Sequence, residues 1–252
     1  PGVVHSWAPN LLPYIEQEPL FRLYDMKFPW FSSPLIVPGT PNNQAVLQAK
    51  LAIFTCPSAP GGVERSVSGT FTFGVSFPYK ELGVTDYATN SSINPGSLTF
   101  FGYPATINQA TTFSAMRPQF TGKGLPLLGV GPSRPTNIVA VIDGSSNTIL
   151  LCESAGRPDR YIQGKQVGTG LNDGGWGHHE NDYGLDGAIA GSTDSPGNYN
   201  ETYAFHSGGA NHVFTDGSVR FLRETIAPRT YAALITANCG SLTPEEVSPL
   251  TE

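Results

Sequence analysis

Residues 202–223 read TYAFHSGGANHVFTDGSVRFLR. Three short runs, Thr202 to His206, Asn211 to Thr215 and Ser218 to Arg223, are parted by Ser207-Gly208-Gly209-Ala210 and by Asp216-Gly217. Glycine reaches the positive φ that a tight reversal needs, and an aspartate before it accepts a local backbone hydrogen bond. The pattern predicts a meander of three antiparallel strands. A further strand is expected from Thr148 to Glu153, because Ile149, Leu150 and Leu151 are too uniformly apolar to face solvent. Just before that strand, Pro135 near a start and Gly144 past an end favour a helix carrying Ile138, Val141 and Ile142. A strand through Asn137 to Ile142 is the alternative. Pro228 opens a last helix with Tyr231, Leu234 and Ile235 on one face, Gly240 stops it, and 241–252 is a frayed tail.

Towards the N-terminus, Leu12, Ile15, Leu20, Leu23 and Tyr24 recur near a 3.6 period, so a first helix is expected over 10–25, limited by Pro13 and Pro19. A second helix is expected over 44–50, capped by Asn42 or Asn43. Leu51 to Cys56 reads as a strand stopped by Pro57, and 71–87 alternates short aromatic stretches with Gly and Pro. Residues 88–135 carry little charge and many turn formers, which predicts an irregular surface insertion with one or two short strands. The chain therefore reads as an α+β, β-rich single domain over 1–252 with an N-terminal helical lead-in and large loops.

Composition narrows the function. Of 252 residues only 13% are charged, the net charge is −6, and no basic cluster occurs. Nucleic acid is excluded as a partner, since a phosphate path needs concentrated Lys and Arg. No apolar stretch reaches membrane-span length. The opening Pro1-Gly2, without Met, reads as a processed or trimmed product. Cys56, Cys152 and Cys239 form no CxxC pair, which excludes a local thiolate knuckle. One bridge with one free thiol and three buried thiols both remain open. Low charge with many Asn, Ser, Thr and Gly fits an exported protein.

Chemistry-bearing patterns are few. The Asp-Gly-Ser triplets at 143–145 and 216–218 read as turns. No G-x-S-x-G elbow, G-x-G-x-x-G or Walker lysine loop is present, so neither a serine hydrolase nor a nucleotide cofactor is supported. His206 and Asp216 are expected at opposite ends of one strand, too far apart to form a catalytic pair. The loop 164–191 holds nine glycines. Within it Asp173, Glu180, Asp182 and Asp186 offer hard oxygen ligands for Ca²⁺, beside His178 and His179, although the spacing is not that of an EF-hand. Trp176, among Gly174, Gly175 and Gly177, is expected either to pack as a lid or to stack on a sugar.

The stretch from His206 to Leu222 resembles the C-terminal signature, His, nine residues, Asp-Gly, of the prepilin-like family known as domain of unknown function 1559, abundant in planctomycetes and related bacteria. Its motif positions here are His206, Gly208, Gly209, Asn211, Asp216 and Gly217. Leu11 to Gln17, Phe54 to Ser58 and Ile142 to Leu150 agree as well. The resemblance implies a type IV prepilin leader and a long apolar helix upstream of Pro1, export, and a pilin-like helix followed by an antiparallel sheet. It also implies anchoring or self-assembly with protein partners through that helix, at the cell surface or in the periplasm. Cys152, Cys239 and Asn200 depart from the family's usual residues, so a disulfide expected from relatives is rewired or missing. A non-enzymatic, pseudopilin-like structural or assembly component is the leading reading. A glycan- or ligand-binding envelope module using 88–135 and Trp176 comes second, and a hydrolase using the acidic loop third.

Overall fold

Two of the three strands expected over 202–223 form in the computed structural model, which describes residues 3–73, 75–93, 115–116, 119–121, 138–185, 197–199 and 201–237. Strands β10 (Gly209–Phe214) and β11 (Val219–Arg223) pair antiparallel, from Gly209 opposite Arg223 to Val213 opposite Val219. Along β10, Ala210, His212 and Phe214 point inward while the residues between them are partly exposed, the two-residue alternation of a half-buried strand. The expected strand Thr202 to His206 does not form. Only Tyr203 pairs, in a parallel bridge to Ser154, with its N–H on the Glu153 carbonyl at 2.9 Å and its carbonyl taking the Ala155 N–H at 2.9 Å. The chain then leaves the sheet and carries His206 to the Glu153 side chain.

β10 and β11 edge a five-stranded sheet that continues through β6 (Ile149–Glu153), β4 (Tyr87–Ile93) and β9 (Asp182–Leu185), in the order β11-β10-β6-β4-β9. The β6 expectation holds to within a residue. Pairing is antiparallel except between β4 and β9, which run parallel; the long chain between them supplies the crossover a parallel pair requires. β4 is a short strand at the start of the insertion expected over 88–135, but it is interior rather than on the surface. Its first residues are interior, with Ala88, Thr89, Asn90 and Ile93 buried. The YATNSSI sequence hides this because its polar side chains find partners inside the fold; Asn90 Nδ2 donates to Tyr231 Oη at 3.1 Å, while Asn90 Oδ1 has no partner among the described residues. Beyond Ile93 most of that range lies outside the described residues.

Helix α3 (Pro228–Ile235) forms as its proline start predicts and covers the sheet, with Ala232 and Ile235 packed on Ile93, Ile149 and Phe214. Of the helix expected over 135–144, the described residues from Ile138 onward form only a 3₁₀ turn, Ile138–Ala140, with Val139 and Ile142 exposed and Val141 buried. Its apolar residues do not share a face, so packing gives the turn nothing to extend for.

A second, aromatic core lies at the N-terminal side. Strand β1 (Val3–His5) pairs with β5 (Gln119–Thr121) and leads into a 3₁₀ helix, Ala8–Tyr14, and then α1 (Glu18–Leu23). The single helix expected over 10–25 is thus broken: Pro13 removes a backbone donor and Glu16 takes φ +61° between the two pieces. Helix α2 (Asn43–Leu47) is capped by Asn42, whose Oδ1 accepts the Ala45 N–H at 3.2 Å. Asn43 is fully buried; its Nδ2 donates to the carbonyls of Asp25, Phe28 and Pro29, pinning the proline-rich loop. Leu51 to Cys56 is not a strand but a 3₁₀ turn, Ala52–Phe54, in which Phe54 is buried and Ile53 exposed. The hairpin β2 (Ser66–Phe73) and β3 (Val75–Gly83) packs Val67, Tyr79 and Leu82 against Trp30, Leu12, Leu47 and Trp176. A small hairpin, β7 (Arg160–Ile162) and β8 (Lys165–Gly168), follows β6.

The two motif glycines at the start of β10 carry different constraints. Gly208 takes φ +82° in open space, whereas a Cβ on Gly209 would lie 2.1 Å from the Leu222 carbonyl oxygen. Gly208→Ala is expected to cost about 1–2 kcal/mol of backbone strain. Gly209→Ala should cost clearly more, because β10 and β11 must part. Urea unfolding measures both, and equal losses would contradict this register.

Candidate functional site

Strand β6, in the middle of the sheet, ends in Glu153, a residue only 2% exposed and opposite Tyr87 at the β4 start. Its Oε2 accepts the Asn211 backbone N–H at 2.6 Å, and its Oε1 accepts Asn211 Nδ2 at 3.3 Å. The same Oε1 lies 3.1 Å from His206 Nε2 and 3.8 Å from Cys56 Sγ, and the Cys56 Sγ lies 3.8 Å from that His206 nitrogen. Three residues distant in sequence thus meet at one point, with Cys56 and Glu153 buried and His206 partly open to solvent. Among the described residues Glu153 has no Arg or Lys partner in an ion pair; the basic side chain beside it is His206.

What holds Cys56 there is Asp86, fully buried just before β4. Its two carboxylate oxygens take four donors: Arg65 Nη1 at 2.8 Å, Arg65 Nη2 at 2.5 Å, the Cys56 N–H at 2.7 Å and the Gly156 N–H at 2.9 Å. Its backbone N–H donates to the Phe54 carbonyl and its carbonyl accepts the Ser154 N–H, both at 2.8 Å. Arg65 is 7% exposed and also donates to the Arg157 carbonyl at 2.8 Å. A bidentate, fully hydrogen-bonded pair of this kind is the favourable case for a buried ion pair.

The geometry excludes an acid–base–nucleophile relay. Such a relay places the nucleophile on one imidazole nitrogen and the orienting acid on the other. Here Cys56 and Glu153 both face Nε2 of His206. Burial pushes the Cys56 thiol pKa up, the N–H groups of Ser58 and Ala59 pull it back, and the carboxylates of Glu153 and Asp86 push it up again. A thiol held up in this way is a poor nucleophile at neutral pH.

The residues expected to bind calcium are distributed differently. Asp173 pairs with the fully buried Arg157 at 3.1 Å, Glu180 is largely exposed beside His178, and Asp182 opens β9. Asp186 lies outside the described residues. Arg157 also donates to the Asn198 carbonyl and lies 4.0 Å over the Tyr183 ring. Trp176 corrects the stacking expectation: it is completely buried, its Nε1 donates to the Ala49 carbonyl at 2.8 Å, and Phe54 lies against its ring. Its glycine neighbours serve close packing, since a Cβ on Gly177 would meet Leu47 at 2.3 Å. His178 and His179 stack beside Trp30, whose Nε1 donates to His179 Nδ1 at 3.0 Å. Cys56 and Cys152 are free buried thiols, and Cys239 lies outside the described residues.

The motif residues separate. His206 and Asn211 belong to the Glu153 cluster. Asp216 turns the β10–β11 reversal instead, accepting the Ser218 N–H at 2.9 Å and hydroxyl at 2.7 Å, with Gly217 at φ +83°. Glu153 is the residue that sequence reading missed. Its signal was a carboxylate closing the apolar run Ile149-Leu150-Leu151-Cys152, a charge the strand would have to bury.

The family described as "Protein of unknown function (DUF1559)" matches residues 1–229, which include Cys56, Glu153 and His206. The chain matches no curated protein and no solved structure.

Two outcomes follow from these geometries. Asp86→Ala strands a buried arginine and two N–H groups, so it should lower stability by about 3–5 kcal/mol in urea unfolding; a loss below about 1 kcal/mol would show the pair to be dispensable. Acid should also weaken the fold. Burial lowers His179 and His212 to about 4 and pushes His178 well below its ordinary 6.5. These groups stay neutral when folded but take protons when unfolded, so stability present above pH 6.5 is lost as pH falls towards 4. His212→Gln should flatten that slope by at most about 1.4 kcal/mol per pH unit, and an unchanged slope would remove His212 from the account.

Proposed function

The chain belongs to the DUF1559 family, and we propose that it is a non-enzymatic, pseudopilin-like structural or assembly component of the cell surface or envelope. The observation that carries the non-enzymatic part is the doubly contacted Nε2 of His206. The cluster of Cys56, Glu153 and His206 has no nucleophile paired with an independently oriented base. The order of elements supports the pilin-like part, with short helices first and a largely antiparallel sheet after them. Tyr14, Leu23 and Leu35 on the N-terminal layer are exposed apolar side chains that suit contact with protein partners. Among the described residues no helix is long and apolar enough to cross a membrane. In this reading the anchor is an apolar helix upstream of Pro1.

The coding sequence upstream of Pro1 tests the assembly role. A leader ending in Lys or Arg, Gly and Phe-type residues, followed by about 20 apolar residues, is expected. A plain secretory signal joined directly to this domain would overturn it. For the non-enzymatic part, peptide-resolved alkylation at pH 7.5 should leave Cys56 unmodified in the folded, reduced protein. Rapid modification of Cys56 alone would reveal an activated thiol and sink that part.

A further inference from the structure

We propose that Cys56, Glu153 and His206 form a binding site for a borderline-soft divalent cation, Zn²⁺ by ligand chemistry, with one coordination position left open. Zinc bonds of about 2.3 Å to sulfur and about 2.0–2.2 Å to nitrogen and oxygen, at tetrahedral angles, set neighbouring ligand atoms roughly 3.3–3.6 Å apart. The three atoms form a triangle with sides of 3.8, 3.8 and 3.1 Å. Each side lies within about 0.2 Å of that range, so the triangle is already one face of a zinc tetrahedron.

The chemistry of the cluster calls for a cation. Without one, a buried carboxylate, a thiol and an imidazole nitrogen converge with no Lys or Arg among their ion pairs in the described residues. The thiol stands 3.8 Å from both neighbours and has one proton to offer between them. A bound cation would take a lone pair from all three. The ligand set of one sulfur, one nitrogen and one oxygen selects zinc over calcium, which takes oxygen ligands throughout.

The surroundings are those of a supported metal site. The Asn211 N–H fixes Glu153 Oε2 at 2.6 Å, and Oε1, which also accepts Asn211 Nδ2 at 3.3 Å, faces His206 and Cys56. Asp86 fixes the Cys56 backbone by accepting its N–H at 2.7 Å. The His206 side chain is 29% exposed, so the open position lies on the solvent side. The ligands come from the 3₁₀ turn before Pro57, the end of β6 and the loop before β10. A metal here therefore cross-links segments 97 and 53 residues apart and stabilises only the folded chain.

The test uses the full chain, reduced and stripped by a chelator, titrated with Zn²⁺ alone and separately with Co²⁺ as a spectroscopic substitute. Wild type is expected to bind one Zn²⁺ per chain, to melt higher with Zn²⁺ than with EDTA, and to give a thiolate-to-cobalt charge-transfer band. Cys56→Ser should abolish the band, and His206→Ala, at the open side, should weaken Zn²⁺ binding about tenfold or more. Cys152→Ser should keep both band and affinity. Circular dichroism of each variant separates lost binding from lost folding, and the wild-type comparison stands without any variant. Equal melting with Zn²⁺ and EDTA together with no cobalt band, or a band that survives Cys56→Ser, would overturn the site.

Discussion

The carboxylate of Asp86 is the constraint on which the rest of the molecule hangs. A fully buried aspartate is tolerable only when its charge is paired and its lone pairs are filled. Arg65 supplies the charge, and Cys56 and Gly156 supply two backbone donors. Satisfying one side chain therefore fixes the turn after Phe54, the arginine before β2 and the loop after β6. These are the pieces that join the aromatic N-terminal core to the five-stranded sheet. The position of Cys56 beside Glu153 is a by-product of that arrangement rather than of any contact between them.

Glu153 and Asp86 make an instructive pair, because the same fold buries both and treats them differently. Asp86 has a guanidinium held bidentate against it. Glu153 has two contacts from Asn211 and one from a histidine, whose charge is conditional. The first carboxylate is structural because its partner is fixed. The second is placed where its partner is exchangeable, and that difference marks it as the chemically available group of the two.

Much of the architecture was legible because it rests on local rules. Asp216-Gly217 announces the β10–β11 turn, Ile149-Leu150-Leu151 announces a buried strand, and Pro228 announces α3. What escaped was decided by distant partners. Leu51 to Cys56 has strand composition, but Asp86 holds its carbonyl and N–H groups, so no strand pairs with it. Tyr87 to Ile93 has loop composition, yet it is a central strand in which Tyr231, Cys152 and Thr202 take the amide N–H groups of the buried Asn90. Trp176 looked like a ligand platform because glycines surround it, and those glycines are there to let Leu47 and Leu82 close upon it. The Glu153 cluster was the least legible part, since its members lie in three segments that only the folded chain brings together.

The spacing of the His, nine residues, Asp-Gly signature has a physical reason once the strand between its ends is in view. Gly209–Phe214 is six residues long, about 20 Å at the rise of a β-strand. His206 must stand before that strand to reach Glu153, and Asp216 must stand after it to reverse the chain into β11. Within the interval, Gly209 admits the Leu222 carbonyl, Asn211 holds Glu153, and His212 is packed on Tyr231. The nine intervening residues are thus the length of one hairpin arm, with a functional group at one end and a turn at the other. The two ends of the motif never meet, and a reading that pairs them as a catalytic dyad mistakes a ruler for a site.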